Sequence, residues 1–218
     1  DIAKWAYDEK QKDLWFAMPV RGEVGILLLE EAQANCYLLN GNTDYYSLSI
    51  QGCYEAFKES NIQADIIKID QIKDYSLIYV PYPVGLSDDA MNKLRDWTAA
   101  GGFLVSEACF GYFDGYGHAV ERQPNREFDA VFGCREDDVS FAPDRWKELK
   151  VHTLKGTVNG AVFRQSYTVE TGEIWGTYDD GKVAVVKNKY GKGQAVIIGT
   201  IMGYAYKEKH DEPTRKFF

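Results

Sequence analysis

The stretch "YSLIYVPYPVGLSDDAMNKLRDWTAAGGFLVSEA", Tyr75 to Ala108, decides the fold. Its opening, "YSLIYVPYP", is a short apolar run whose end is fixed by Pro81 and Pro83, since proline has no amide to give a sheet ladder. Ser87 then reads as a helix N-cap, with Asp88 and Asp89 in the first turn opposing the positive end of the helix dipole. Met91, Leu94 and Trp97 recur on one helical face, and Gly101 is the stop. "GFLVSEA" is the next strand. Strand, helix and strand at this spacing spell a parallel pair joined by a right-handed crossover.

The same grammar extends toward the N-terminus. "VGILLLE", from Val24, is an apolar run without alternation, the mark of a strand buried on both faces of a parallel sheet. A polar loop, "EAQANCYLLNGNTD", leads to "YYSLSIQGCYEAFKESN", where Leu48, Cys53, Ala56 and Phe57 recur at helical spacing behind Asp44 as N-cap. "ADIIKID" is a further strand. Ahead of all this, residues 1–21 form an arm or linker helix that stops before Pro19 and carries Trp5, Trp15 and Phe16. Those rings are costly to leave in water, so the arm either lies on the domain or packs against something else.

Toward the C-terminus, a short helix near "NREFDAVFG" precedes the β-rich segments "AVFRQSYTVE", "EIWGTYDD", "KVAVVKNKY" and "GQAVIIGTIM". The last two make a hairpin around "YGKG", with Gly191 and Gly193 both expected at positive φ. The expected fold is therefore α/β: a flavodoxin-like, doubly wound, mostly parallel sheet with strand order 2-1-3-4 and a C-terminal antiparallel β extension. The α/β domain covers residues 22–206, and residues 207–218 form a tail.

Bulk properties narrow the function. The chain has 218 residues and a formal charge of −8, with a pI near 5.0. No cluster of lysine and arginine marks a phosphate-binding face, so nucleic acid is not an expected partner. The longest aliphatic run, "VGILLL", falls far short of the roughly 20 residues a membrane span needs. A soluble protein is expected, in the cytoplasm or in a periplasmic or secreted setting. The cysteines, Cys36, Cys53, Cys109 and Cys134, form no CxxC pair and read as buried free thiols. The chain opens on Asp1 and reads as an excised piece or a mature form.

In order along the chain, "VGILLLE", "YEAFKESNIQADIIKID", the deciding stretch, "GYFDGYG", "FDAVFG" and "GKVAVVKNKYGKGQAVIIGT" resemble the trimerisation domain of family 42 glycoside hydrolases, the β-galactosidases. The resemblance covers residues 22–206. It implies a class I glutamine-amidotransferase-like fold and a place in a homo-oligomer, a trimer. It also implies that a preceding (β/α)8 barrel, carrying two catalytic glutamates, performs the chemistry on a galactoside. A barrel does not fit here beside the sheet. The tryptophan-rich arm would then be the connection to the barrel. No cofactor or metal is implied.

Chemistry within the domain itself has three candidate forms. Beyond the carboxyl ends of the expected strands, the crevice collects Glu30, Glu31, Tyr82, Pro83, Glu107 and Cys109. A nucleophilic Cys109 needs a strand-to-helix elbow and a histidine base. Glycines and aromatic residues follow it instead, "TIM" stands where an amidotransferase has its His-Pro-Glu, and Glu107 beside a thiol raises its pKa. A glycosidase pair of Glu107 with Glu30 or Glu31 faces strands roughly 10 Å apart, compatible only with the inverting separation of about 6.5–9.5 Å. For metal ligation, His118, His152 and His210 are scattered with no i, i+4 pair, and Glu136 to Asp138, which could hold a calcium ion, read rather as a solvated face.

The loop "GYFDGYG" is a candidate for binding rather than catalysis. Tyr112, Phe113 and Tyr116, spaced by glycines and Asp114, can stack on a sugar or fill a subunit contact. The sequence therefore points to a non-catalytic assembly domain. A self-contained hydrolase acting through Glu107 or Cys109, and a carbohydrate-sensing module, are the alternatives.

Overall fold

The computed structural model describes residues 2–8, 11, 13, 15–18, 20–119, 122–141 and 149–218. Its core is a parallel sheet built around β1 (Val24–Leu27), every residue of which is buried. β2 (Ala64–Ile67) and β3 (Leu77–Val80) flank it, and β4 (Phe103–Ser106) lies beyond β3, all parallel. This is the order 2-1-3-4 read from the apolar runs.

The sheet continues past β4. β11 (Gly193–Ile198) adds in parallel. β10 (Val183–Tyr190), β9 (Glu173–Thr177), β6 (Lys150–Thr153) and β7 (Gly156–Asn159) then follow in antiparallel fashion, giving a sheet of nine strands among the described residues. A separate antiparallel pair, β5 (Cys134–Phe141) with β8 (Phe163–Val169), makes a second small sheet. The protein is thus mixed α/β, with a largely parallel central sheet and antiparallel strands on one side.

Among the described residues the named α-helices are α1 (Ile2–Ala6), α2 (Glu30–Asn40), α3 (Asp44–Glu59), α4 (Asp88–Ala100), α5 (Phe128–Phe132), α6 (Met202–Lys209) and α7 (Glu212–Arg215). α4 follows the sequence reading: the Ser87 hydroxyl accepts the Ala90 amide at 3.4 Å, and Gly101 takes φ +131° after the last turn. In the arm, Trp5, Trp15 and Phe16 are all exposed. Its expected stop at Pro19 lies outside the described residues.

Three local expectations need correction. "EAQANCYLLN" is not a loop but α2, closed by Gly41 in the left-handed region at φ +74°. It buries only Ala32, Asn35 and Cys36, so its apolar residues do not gather into the single stripe that marks a helix in sequence. The cap of α3 is Thr43, with Asp44 as the first helical residue. At the "YGKG" turn Gly191 alone takes positive φ, +57°. Gly193 is required for space, because a Cβ there would lie 2.1 Å from the Thr98 carbonyl oxygen.

α3 and α6 pack with no side chain between them at their crossing. A Cβ on Gly52 would stand 1.9 Å from the Gly203 carbonyl oxygen, and one on Gly203 would stand 2.3 Å from that of Ser49. Beyond α6, Thr214 is buried and the Phe218 ring meets Phe57 at 5.6 Å and Tyr79 at 5.1 Å. All four cysteines are free and buried. Among the described residues no helix is long and apolar enough to cross a membrane.

Candidate functional site

The strand end after β4 is where an α/β sheet of this kind exposes its reactive groups, and here it is closed. Glu107 follows β4 directly and is fully buried. Its Oε1 accepts the Gly203 amide at 2.6 Å and the Tyr79 hydroxyl at 3.1 Å. Its Oε2 accepts the Ser49 hydroxyl at 2.5 Å and the Tyr82 amide at 2.9 Å. The Cys53 thiol lies 3.9 Å from Oε1. Burial pushes the carboxyl above the ordinary glutamate value, and these hydrogen bonds pull it back. The close crossing at Gly52 and Gly203 is what brings the first turn of α6 within reach. Glu107 therefore ties β3, β4, α3 and α6 together and presents nothing to solvent.

Cys109, two residues on, is equally buried and holds φ +65°, a backbone that costs a non-glycine residue about 1–2 kcal/mol. This is the kink of an elbow without its base. The Cys109 amide donates to Gln165 Oε1 at 2.9 Å, and burial pushes the thiol well above its ordinary range, with Glu136 adding to the rise. The histidines are engaged elsewhere. His118 faces Asp114, His152 bridges Thr157 and Asp179, and His210 lies between Glu55 and Glu59.

Gln165 is the hub beneath the glycine-aromatic loop. Its Oε1 also accepts the Tyr167 hydroxyl at 2.7 Å, and its Nε2 donates to the Tyr112 hydroxyl at 2.8 Å and to Glu136 at 2.5 Å. Tyr112 is thereby drawn inward. Phe113 bridges to Gly85 and Ala119, and its carbonyl accepts the Leu86 amide. Asp114 accepts the amides of Tyr116 at 2.8 Å and His118 at 2.9 Å, and the His118 amide is the main reason its carboxyl lies below the ordinary aspartate value. Tyr116, at the tip, is 90% exposed.

Glu30 and Glu31 open α2, where their charge suits the helix N-terminus. Together with Leu28, Leu29, Ser87 and Gly115 they line an open cleft of about 470 Å³, and Lys68 pairs with Glu30 at 3.1 Å. Glu107 is not in that cleft. The two sequence-predicted carboxyl groups thus stand apart, one at the surface and one inside. Among the described residues no group of His, Cys, Asp and Glu is arranged to hold a metal ion.

One cluster at this edge has no sequence signature. Tyr45, at the start of α3, meets Tyr82 (6.4 Å), Phe141 (6.0 Å) and Tyr204 (5.5 Å), and Phe163 packs on Phe141 at 4.9 Å. Each ring comes from a different element, so no local spacing reveals the group. Ser49, Tyr79, Gly203 and Gln165 went unread for the same reason.

The scaffold is mixed α/β, and its strand-end acid and thiol are buried as packing elements. The chain matches the family profile described as the β-galactosidase trimerisation domain over residues 5–212, and it belongs to that family. It is 25% identical over 167 residues to β-galactosidase GanA of Bacillus subtilis, covering 72% of this chain and 24% of that protein. Among solved structures it is similar to Gan42B, a GH42 β-galactosidase from G. stearothermophilus, with 23% identity and a TM-score of 0.75 over 88% of this chain and 30% of that one. An exo-β-1,4-mannosidase from Opitutaceae bacterium strain TAV5 shares the fold at 15% identity and a TM-score of 0.66, over 98% of this chain and 36% of that one. The chain thus spans about a quarter to a third of the length of these relatives.

Proposed function

We propose that this chain acts by holding copies of a glycoside hydrolase together, as a homotrimer, and performs no chemistry of its own. The observation that carries this reading is the closed strand end: Glu107 and Cys109 occupy the reactive positions, but both are fully buried. The scaffold is then of the class I glutamine-amidotransferase-like, flavodoxin-like kind. The parallel order β2-β1-β3-β4 and the kinked backbone at Cys109 favour this assignment.

In the same reading, residues 22–206 are the α/β domain, residues 207–218 a tail, and residues 1–21 the arm that meets a (β/α)8 catalytic barrel. The short span of this chain on its relatives supports a further domain. The parent substrate is a galactoside, although the mannosidase shows that the fold alone does not select the sugar. Glu30, Glu31 and the loop around Asp114 shape the surface at the carboxyl edge, where Tyr116 is offered to a partner.

Assays of the chain with aryl galactosides and with glutamine test the non-catalytic part. No turnover is expected above buffer. Turnover that disappears in Cys109→Ala or Glu107→Gln overturns it.

A further inference from the structure

The last turn of α2 carries Tyr37, Leu38 and Leu39 in succession, exposed at 58%, 76% and 52%. Successive helical residues are about 100° apart, so these side chains point in different directions round the axis. The helix already uses Ala32, Asn35 and Cys36 to pack on the body. At this end the helix is apolar toward the body and away from it, and exposed apolar side chains gathered in one place mark a surface that a partner covers. A short turn then leads from Gly41 to α3, whose Tyr45 belongs to the aromatic cluster with Tyr204 and the half-exposed Phe141. Asp44, next to Tyr45 on α3, and Glu208, about one helical turn from Tyr204 on α6, are both exposed. Aliphatic and aromatic residues at the centre with charge at the margin is the anatomy of a protein interface.

We infer that this patch, formed by the last turn of α2 with Tyr45, Phe141 and Tyr204, is the surface that a second copy of the chain covers in the assembled protein. The inference rests on the assembly reading above and adds the place of contact. The occupant is a second copy because the family is one of trimerisation domains. A ring closed by a three-fold axis joins two unlike surfaces, so the patch meets a different face of its neighbour and not itself. No chemistry is needed at the contact: aromatic and leucine side chains supply the buried area, and the closed strand end beneath them, locked through Glu107, supplies a rigid base.

Sedimentation of the chain, of the double variant Tyr37→Ser with Leu38→Glu, and of Phe141→Ser separates the two claims. Tyr37 and Leu38 are solvent-exposed, so circular dichroism and Tm of the double variant in dilute solution should match the unaltered chain. Phe141→Ser also loses its ring contacts with Tyr45 and Phe163 and should lower Tm while keeping the circular dichroism spectrum. Each variant should weaken self-association by about a hundredfold or more, as loss of a central interface residue does. Leu154→Glu, at an equally exposed leucine in the β6–β7 turn, should assemble normally. A tagged double variant should still capture unaltered chain through its intact second surface. Patch variants that assemble as well as the unaltered chain, or a double variant that captures none, overturn the inference and leave the assembly reading standing. An unaltered chain that stays monomeric overturns both.

Discussion

The Gly203 amide donates to Glu107 Oε1 at 2.6 Å, joining the end of β4 to the first turn of α6 across 96 residues of chain. Each oxygen of this carboxylate faces one backbone amide, Gly203 on one side and Tyr82 on the other. Glu107→Gln must therefore turn its NH₂ toward one of them whichever way it flips. A cost of about 2 kcal/mol is expected in urea denaturation. Glu107→Ala strands both amides beside a cavity and should cost about 4 kcal/mol. A Gln variant as stable as the parent would contradict the lock.

The same carboxyl gives stability a pH dependence of definite sign. Burial holds its folded pKa above the ordinary 4.5, so the folded chain binds this proton more readily than the unfolded chain. The contribution is fully present below the unfolded value and is lost as pH rises through the folded one. Asp114, Asp137 and Asp211 lie below their ordinary 3.8 and act oppositely, losing their contribution only as pH falls through their folded values. Denaturation from neutrality toward pH 4.5 should show a gain that shrinks in Glu107→Gln to what Glu136, also raised by burial, contributes. An identical gain in the variant would remove Glu107 as its source.

Gly52→Ala places a methyl group 1.9 Å from the Gly203 carbonyl oxygen, where only backbone movement makes room. Overpacking at this crossing should cost about 3 kcal/mol and loosen the Glu107 contact with α6. Hydrogen exchange at the Gly203 amide reads the second effect directly. Unchanged protection there would show that the helices separate without disturbing the carboxylate.

Removing Gln165 breaks a junction rather than a single bond. Gln165→Leu leaves the Cys109 amide and the Tyr167 hydroxyl without acceptors, for about 3 kcal/mol. The loop from Tyr112 onward should lose exchange protection as Tyr112 is released. Asp114→Ala should free the Tyr116 and His118 amides alone, with little change in global Tm.

Burial also fixes the behaviour of the thiols. Cys53, Cys109 and Cys134 are pushed well above the ordinary thiol range by desolvation. Ellman's reagent at neutral pH should modify the native chain no faster than it unfolds and should titrate all four cysteines in denaturant. Rapid native labelling of Cys109 would point to the nucleophile that the geometry denies.

The parallel half of the fold was legible because each strand there is a contiguous apolar run and α4 carries its own cap and stop. α2 was not, since Tyr37, Leu38 and Leu39 face away from the body and spoil the periodicity. β5 reads "CREDDVSF", too charged and too exposed to announce a strand. At the site, the lack of a base for Cys109 could be seen in the sequence, because no histidine stands where the pattern needs one. Its positive φ could not. The role of Glu107 was hidden because its partners come from α3, β3 and α6, and only the assembled fold brings them to one carboxylate.

The assembly claim is tested most directly by the mass of the chain in solution. Light scattering across a range of concentrations should converge on three times the 24.7 kDa chain mass. A particle that keeps the mass of one chain at the highest concentration would contradict the account.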